Sequence, residues 1–74
     1  MISGKIKWFN DLSGHGFIEV STGKDVYVHY TSIVDRKKQE NVTLFNGMAV
    51  KFDLIETEQG PEAFNVEILA NTVL

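Results

Sequence analysis

A chain of 74 residues with 43% hydrophobic and 23% charged residues has room for one small globular domain, here expected to span residues 1–74, with a thin core. With no cysteine it has no disulfide, no thiolate nucleophile and no cysteine-based zinc site. No apolar run approaches the roughly 20 residues of a membrane-spanning helix, and the opening MISGKIKWFN carries no apolar signal stretch, so a soluble, cytoplasmic protein with a net charge of -3 is expected.

The first strand is expected over residues 2–10. In Gly16-Phe17-Ile18-Glu19-Val20 and in Asp25-Val26-Tyr27-Val28-His29, β-branched and aromatic residues alternate with period two, which is a strand and not a helix. Between them, Ser21-Thr22-Gly23-Lys24 predicts a short hairpin loop, with Gly23 free to take positive φ. Residues 34–46 show neither period and carry Arg36-Lys37-Lys38, so a long loop is expected there. Alternation returns in Met48, Val50, Phe52 and Leu54, then in Phe64, Val66 and Ile68. Thr57-Glu58-Gln59-Gly60-Pro61 separates those two runs and predicts a turn that neither strand continues through.

Five short antiparallel strands laid flat would leave exposed edges, and closing them into a barrel over residues 2–70 removes those edges. The expected fold is therefore all-β, a five-stranded antiparallel barrel, followed by a short extension at 71–74. Its core is expected to contain Ile6, Ile18, Val20, Val26, Val28, Val50, Phe52, Leu54, Val66 and Ile68. Gly14 and Gly16 are expected to permit a bulge or a close backbone approach.

Strand parity then assigns the other side chains. If Val26 and Val28 face inward, Tyr27 and His29 face outward; if Ile18 and Val20 face inward, His15, Phe17 and Glu19 face outward. The hairpin predicts Phe17 beside Tyr27 and His15 beside His29. Each large ring left in water forgoes burial worth roughly 1.5 to 3 kcal/mol, so a patch of this kind calls for a ligand. Lys5, Lys7 and Trp8 flank it, although alternation does not decide whether Trp8 or Phe9 faces outward. Residues 1–38 carry a net +2 and residues 39–74 a net -5, which leaves the first half electropositive. Rings interleaved with cations suit single-stranded nucleic acid, whose bases stack and whose phosphates meet ammonium groups. A protein partner would also use such aromatics, and an oligosaccharide would stack on them without needing the lysines. Salt dependence separates these readings.

The runs Gly4-Lys5-Ile6-Lys7-Trp8-Phe9-Asn10, Gly14-His15-Gly16-Phe17-Ile18 and Asp25-Val26-Tyr27-Val28-His29-Tyr30, with Gly60-Pro61, Ala63 and Asn65-Val66, resemble the bacterial cold-shock protein family over almost the whole chain. The resemblance implies an oligonucleotide-binding (OB-fold) barrel that binds single-stranded RNA and DNA and acts as an RNA chaperone or a regulator of transcription or translation. It implies a mild pyrimidine preference, a monomer and no cofactor. Carried over by position, the binding residues are Lys7, Trp8, Asn10, His15, Phe17, Asp25, Tyr27, His29 and Tyr30, with Lys38 from the loop. Trp8, Phe17 and Tyr27 would stack bases and Lys7 would meet phosphate. Asn10, Asp25 and His29 would hydrogen-bond sugar, backbone or base edges.

The chain departs from the family pattern where Ser13 replaces a usual lysine and His15 a usual aromatic. One lost phosphate contact lowers the salt slope for single strands by about 0.7, and an imidazole stacks more weakly than a benzyl ring. Gln59 replaces a basic residue found in some members and Phe64 a small one, and Phe45 is the only aromatic available near the loop. His15 and His29 have no third ligand in the sequence, so no metal site is expected. They do predict a pH effect: histidine is the side chain that gains charge between pH 8 and pH 5. Affinity for a single strand is expected to be higher at pH 6 than at pH 8 when titrated at matched ionic strength. Glu56, Glu58, Glu62 and Glu67 read as a solvated acidic rim. No nucleophile and base, and no isolated carboxylate pair, offers a catalytic centre, so an enzyme is not expected.

Overall fold

The period-two runs become five strands in the computed structural model, which describes residues 1–34 and 44–70. They are β1 (Ile2–Asn10), β2 (His15–Glu19), β3 (Asp25–His29), β4 (Ala49–Thr57) and β5 (Gly60–Ala70). Their order around a closed barrel is β1-β2-β3-β5-β4, so no strand is left with an open edge. One seam differs from the expected antiparallel arrangement. β3 and β5 run parallel, joined at Tyr27 and Glu62, with a parallel bridge between Ile33 and Val66 just beyond it.

Residues 20–24 make the predicted hairpin. Gly23 has φ 86°, its N–H donates to the Val20 carbonyl at 2.8 Å, and the Val20 N–H donates to the Lys24 carbonyl at 3.2 Å. β2 and β3 then pair as parity required, Phe17 with Tyr27 and His15 with His29.

Ile6, Ile18, Val26, Val28, Val50, Phe52 and Val66 are buried, and Val20, Leu54 and Ile68 pack against them half-buried. Ile33, Leu44, Met48 and Ala63 complete the core. Ile33 and Leu44 belong to no alternating run, which hid them from a periodicity argument.

Two bulges shift the parity. In β1, Ile6 opposes Ile18 while Trp8 opposes Phe17, so Lys7 is an extra residue that turns Trp8 to the outer face and Phe9 toward the core. In β5, Phe52 faces a two-residue step between Phe64 and Glu67. Asn65 sits there at φ 53°, in the left-handed region that asparagine tolerates better than most residues, and its Nδ2 donates to Asp53 Oδ2 at 2.9 Å. Val66 is therefore fully buried while Phe64 is only half-buried, although alternation had put them on one side.

Gly60 and Pro61 also lie inside β5, opposite Thr57 and Glu56, not in a turn as expected. The connection is tighter than the sequence suggests. Thr57 Oγ1 accepts the Gln59 N–H at 3.2 Å and donates to the Gly60 carbonyl at 2.7 Å, which lets proline occupy the start of a strand, where a missing N–H is tolerated. The expected loop at 34–46, with Arg36-Lys37-Lys38, and the extension at 71–74 fall largely or wholly outside the described residues.

Candidate nucleic-acid interface

The barrel's outer face carries one transverse row of side chains. Trp8 pairs with Phe17, Phe17 with Tyr27, Tyr27 with Glu62 and Glu62 with Ile55. Partners in register point to the same side of a sheet, so the row crosses all five strands.

The rings meet edge to face. Trp8 and Phe17 have centroids 5.5 Å apart at 60°, Phe17 and Tyr27 5.9 Å apart at 75°. His15, one register step along β2, stacks on Tyr27 at 5.9 Å and 26° and sets its edge on Trp8 at 5.7 Å. Each aromatic contact of this kind contributes about 0.5 to 1.5 kcal/mol beyond area burial, so the rings hold one another in place before any ligand arrives. The imidazole at 15 thus fills the position of the ring it replaces.

The polar groups flank this row. Lys7 Nζ lies 3.1 Å from Asp25 Oδ2 and 3.4 Å from Oδ1, spanning from β1 to β3. The two residues assigned separate ligand contacts from sequence thus form one ion pair, and part of the Lys7 charge is already neutralised. Both side chains are nearly half exposed, so solvent screening keeps the pair weak.

Asn10 has a structural task as well. Its Oδ1 accepts the N–H of Leu12 at 2.8 Å and of Ser13 at 3.2 Å, fixing the β1–β2 turn and leaving Nδ2 for a ligand. Leu12 stands wholly exposed at the apex of that turn.

His29 ends β3 and caps a single 3-10 turn, Tyr30–Ser32. Its Nδ1 accepts the Thr31 N–H at 3.3 Å and lies 2.8 Å from Thr31 Oγ1. An accepting Nδ1 assigns the neutral ring's proton to Nε2. Tyr30 packs against it with ring centroids 4.8 Å apart, and its N–H donates to the Gly14 carbonyl at 2.8 Å. The sequence gave no sign of this turn, which ties Tyr30 to the β1–β2 loop.

Of the remaining expected residues, Lys38 lies outside the described residues. Lys5 is exposed and opposes Glu19. Phe45 is exposed as well. Among the described residues no group of three or more His, Cys, Asp or Glu could hold a metal ion, and no helix is long and apolar enough to cross a membrane.

Sequence reasoning missed a groove of about 370 Å³ lined by Phe17, Tyr27, Thr57, Gln59, Pro61 and Glu62. It exists because β3 and β5 are neighbours, and a parallel seam between distant segments leaves no local pattern. Glu62, read as part of a solvated rim, is half-buried here.

Known proteins show the same pattern. The family model described as the 'Cold-shock' DNA-binding domain matches residues 2–69. The chain is similar to cold shock protein CspB of Bacillus caldolyticus, 46% identical over 89% of this chain and 96% of that protein. It is also similar to cold shock protein CspD of Bacillus subtilis (strain 168), at 46% over the same shares. Cold shock protein CspA of Staphylococcus aureus (strain USA300) is 42% identical, again over 89% and 96%. Among solved structures, drosophila Unr CSD456 superposes with a TM-score of 0.72 at 21% identity, over 99% of this chain and 29% of that longer one. That likeness is one of fold.

Proposed function

The chain belongs to the cold-shock DNA-binding domain family, whose members bind nucleic acid and are not enzymes, and on that premise we propose that it is a cytoplasmic, monomeric binder of single-stranded RNA and DNA. The ordered row Trp8, Phe17 and Tyr27, with His15 stacked on it, carries this reading. Around the row, Lys7 and Lys38 would meet phosphate, and Asn10, Asp25, His29 and Tyr30 would bond or stack on sugars and bases. Because every base has a π-face, the preference is mild and leans to pyrimidine-rich strands.

The consequence is RNA-chaperone action by mass action, with effects on transcription or translation. Opening a duplex costs on the order of 1.4 kcal/mol per stacked step, while a base on an aromatic ring returns about 1 to 3 kcal/mol. A few rings therefore trap short melted segments and leave long helices closed, without nucleotide hydrolysis.

Trp8 is the chain's one tryptophan, so its fluorescence reports the face directly. A short oligothymidine is expected to quench it strongly, less at high salt, and the matching duplex hardly at all. Absence of quenching together with absence of competition would overturn the single-strand reading and point to a protein partner.

A further inference from the structure

Glu62 is placed by the β3–β5 seam, away from the acidic hairpin tip of its sequence neighbours. It pairs with Tyr27 across the parallel seam and lines the groove beside Phe17, Tyr27 and Pro61. It is half-buried and makes no hydrogen bond or ion pair among the described residues. A carboxylate so placed gives up hydration without gaining a partner, and it repels a passing phosphate. It favours only a ligand that brings N–H donors to it.

At about 370 Å³ the groove is near the small end of ligand sites, roughly 300 to 1,000 Å³, which suits one base and not a peptide. An ionised carboxylate is an acceptor only, with two oxygens side by side. Guanine alone among the bases presents two adjacent donors, N1–H and the N2 amino group. Thymine and uracil present a single N3–H between two carbonyl oxygens that the carboxylate repels. Cytosine and adenine present an amino group next to a ring-nitrogen acceptor. We infer that, given the single-strand reading above, this groove is a guanine-selecting subsite in which Tyr27 and Phe17 hold the base plane and Glu62 accepts from N1–H and N2–H. The preferred ligand is then a pyrimidine-rich strand interrupted by one guanine, and Glu62 sets specificity where the rings cannot.

The test uses a short oligothymidine and the same strand with one central dT replaced by dG, deoxyinosine, dC or dA, each titrated against Trp8 fluorescence. The dG strand is expected to bind about fivefold more tightly than oligothymidine, the low end for a bidentate base contact. Deoxyinosine, which lacks the N2 amino group, should fall between them, and dC and dA should stay within about twofold of dT. In Glu62→Gln, whose fold is checked by a thermal melt, oligothymidine should bind more tightly for want of the like charge and the dG advantage should drop below about twofold. Equal affinity of the dG and dT strands, or an advantage that survives Glu62→Gln, overturns the guanine subsite and leaves single-strand binding intact. Failure of every strand to bind overturns both readings.

Discussion

Tyr27→Ala is expected to weaken every single-stranded oligonucleotide, whatever its sequence, by roughly five- to 150-fold, the equivalent of the ~1 to 3 kcal/mol that a stacking platform supplies. The upper part of that range is the expected result because Tyr27 does more than offer its own ring. It stacks on His15 and meets the edge of Phe17, and it lines the groove beside β5, so truncation releases two neighbouring rings as well. Stability should change little, since its strand neighbours Val26 and Val28 supply the buried side of β3 and Tyr27 lies on the outer face. Competitive titration at fixed salt, with a thermal melt of the same sample, separates the two effects. Tyr27→Phe should keep most of the affinity, because the ring and not the hydroxyl makes the platform. An alanine variant that binds as well as the native chain would remove the stacking mechanism.

How far the sequence foretold this face depends on the strand. β2 and β3 were legible completely, because an unbroken period of two assigns Ile18, Val26 and Val28 inward and Phe17 and Tyr27 outward, and a short hairpin fixes which residues meet. β1 was not, because the extra residue at Lys7 is set by how two backbones fit together and leaves no trace in hydrophobic spacing. The same holds for Asn65 in β5, whose left-handed backbone moves Phe64 off the side occupied by Val66. Glu62 was misread for a third reason. Its acidic neighbours suggested a solvated rim, while the contact that defines it comes from Tyr27, 35 positions earlier by sequence number. Asn10 was given a ligand role by resemblance, and the structure adds a local one, since its Oδ1 closes the turn that follows β1.

The β1–β2 approach that turns Trp8 outward rests on a glycine, and Gly16→Ala is expected to have the largest effect on stability. A Cβ at Gly16 would lie 2.2 Å from the Trp8 carbonyl oxygen and 2.7 Å from the Phe9 Cα. Both are backbone atoms, so no rotamer change relieves the clash, and the strands would have to separate. Overpacking a tight site costs typically about 1 to 3 kcal/mol and occasionally more, a large part of the ~5 kcal/mol reserve at the low end for small domains. With about 4 to 8 °C lost per kcal/mol in a domain of this size, the melting temperature should fall by roughly 12 to 24 °C or the chain should fail to fold. Gly23→Ala provides the contrast. Nothing lies within 4 Å of its added Cβ, but φ is +86°, so only the backbone penalty of about 1 kcal/mol applies and the loss should be about 4 to 8 °C. If Gly16→Ala melts as high as Gly23→Ala, β1 and β2 are not as close as described. The argument then reaches beyond stability, because the same contact seats Phe9 opposite Gly16 on the inner side and leaves Trp8 to the ligand. A surviving Gly16→Ala fold should therefore also lose quenching of Trp8 by oligothymidine.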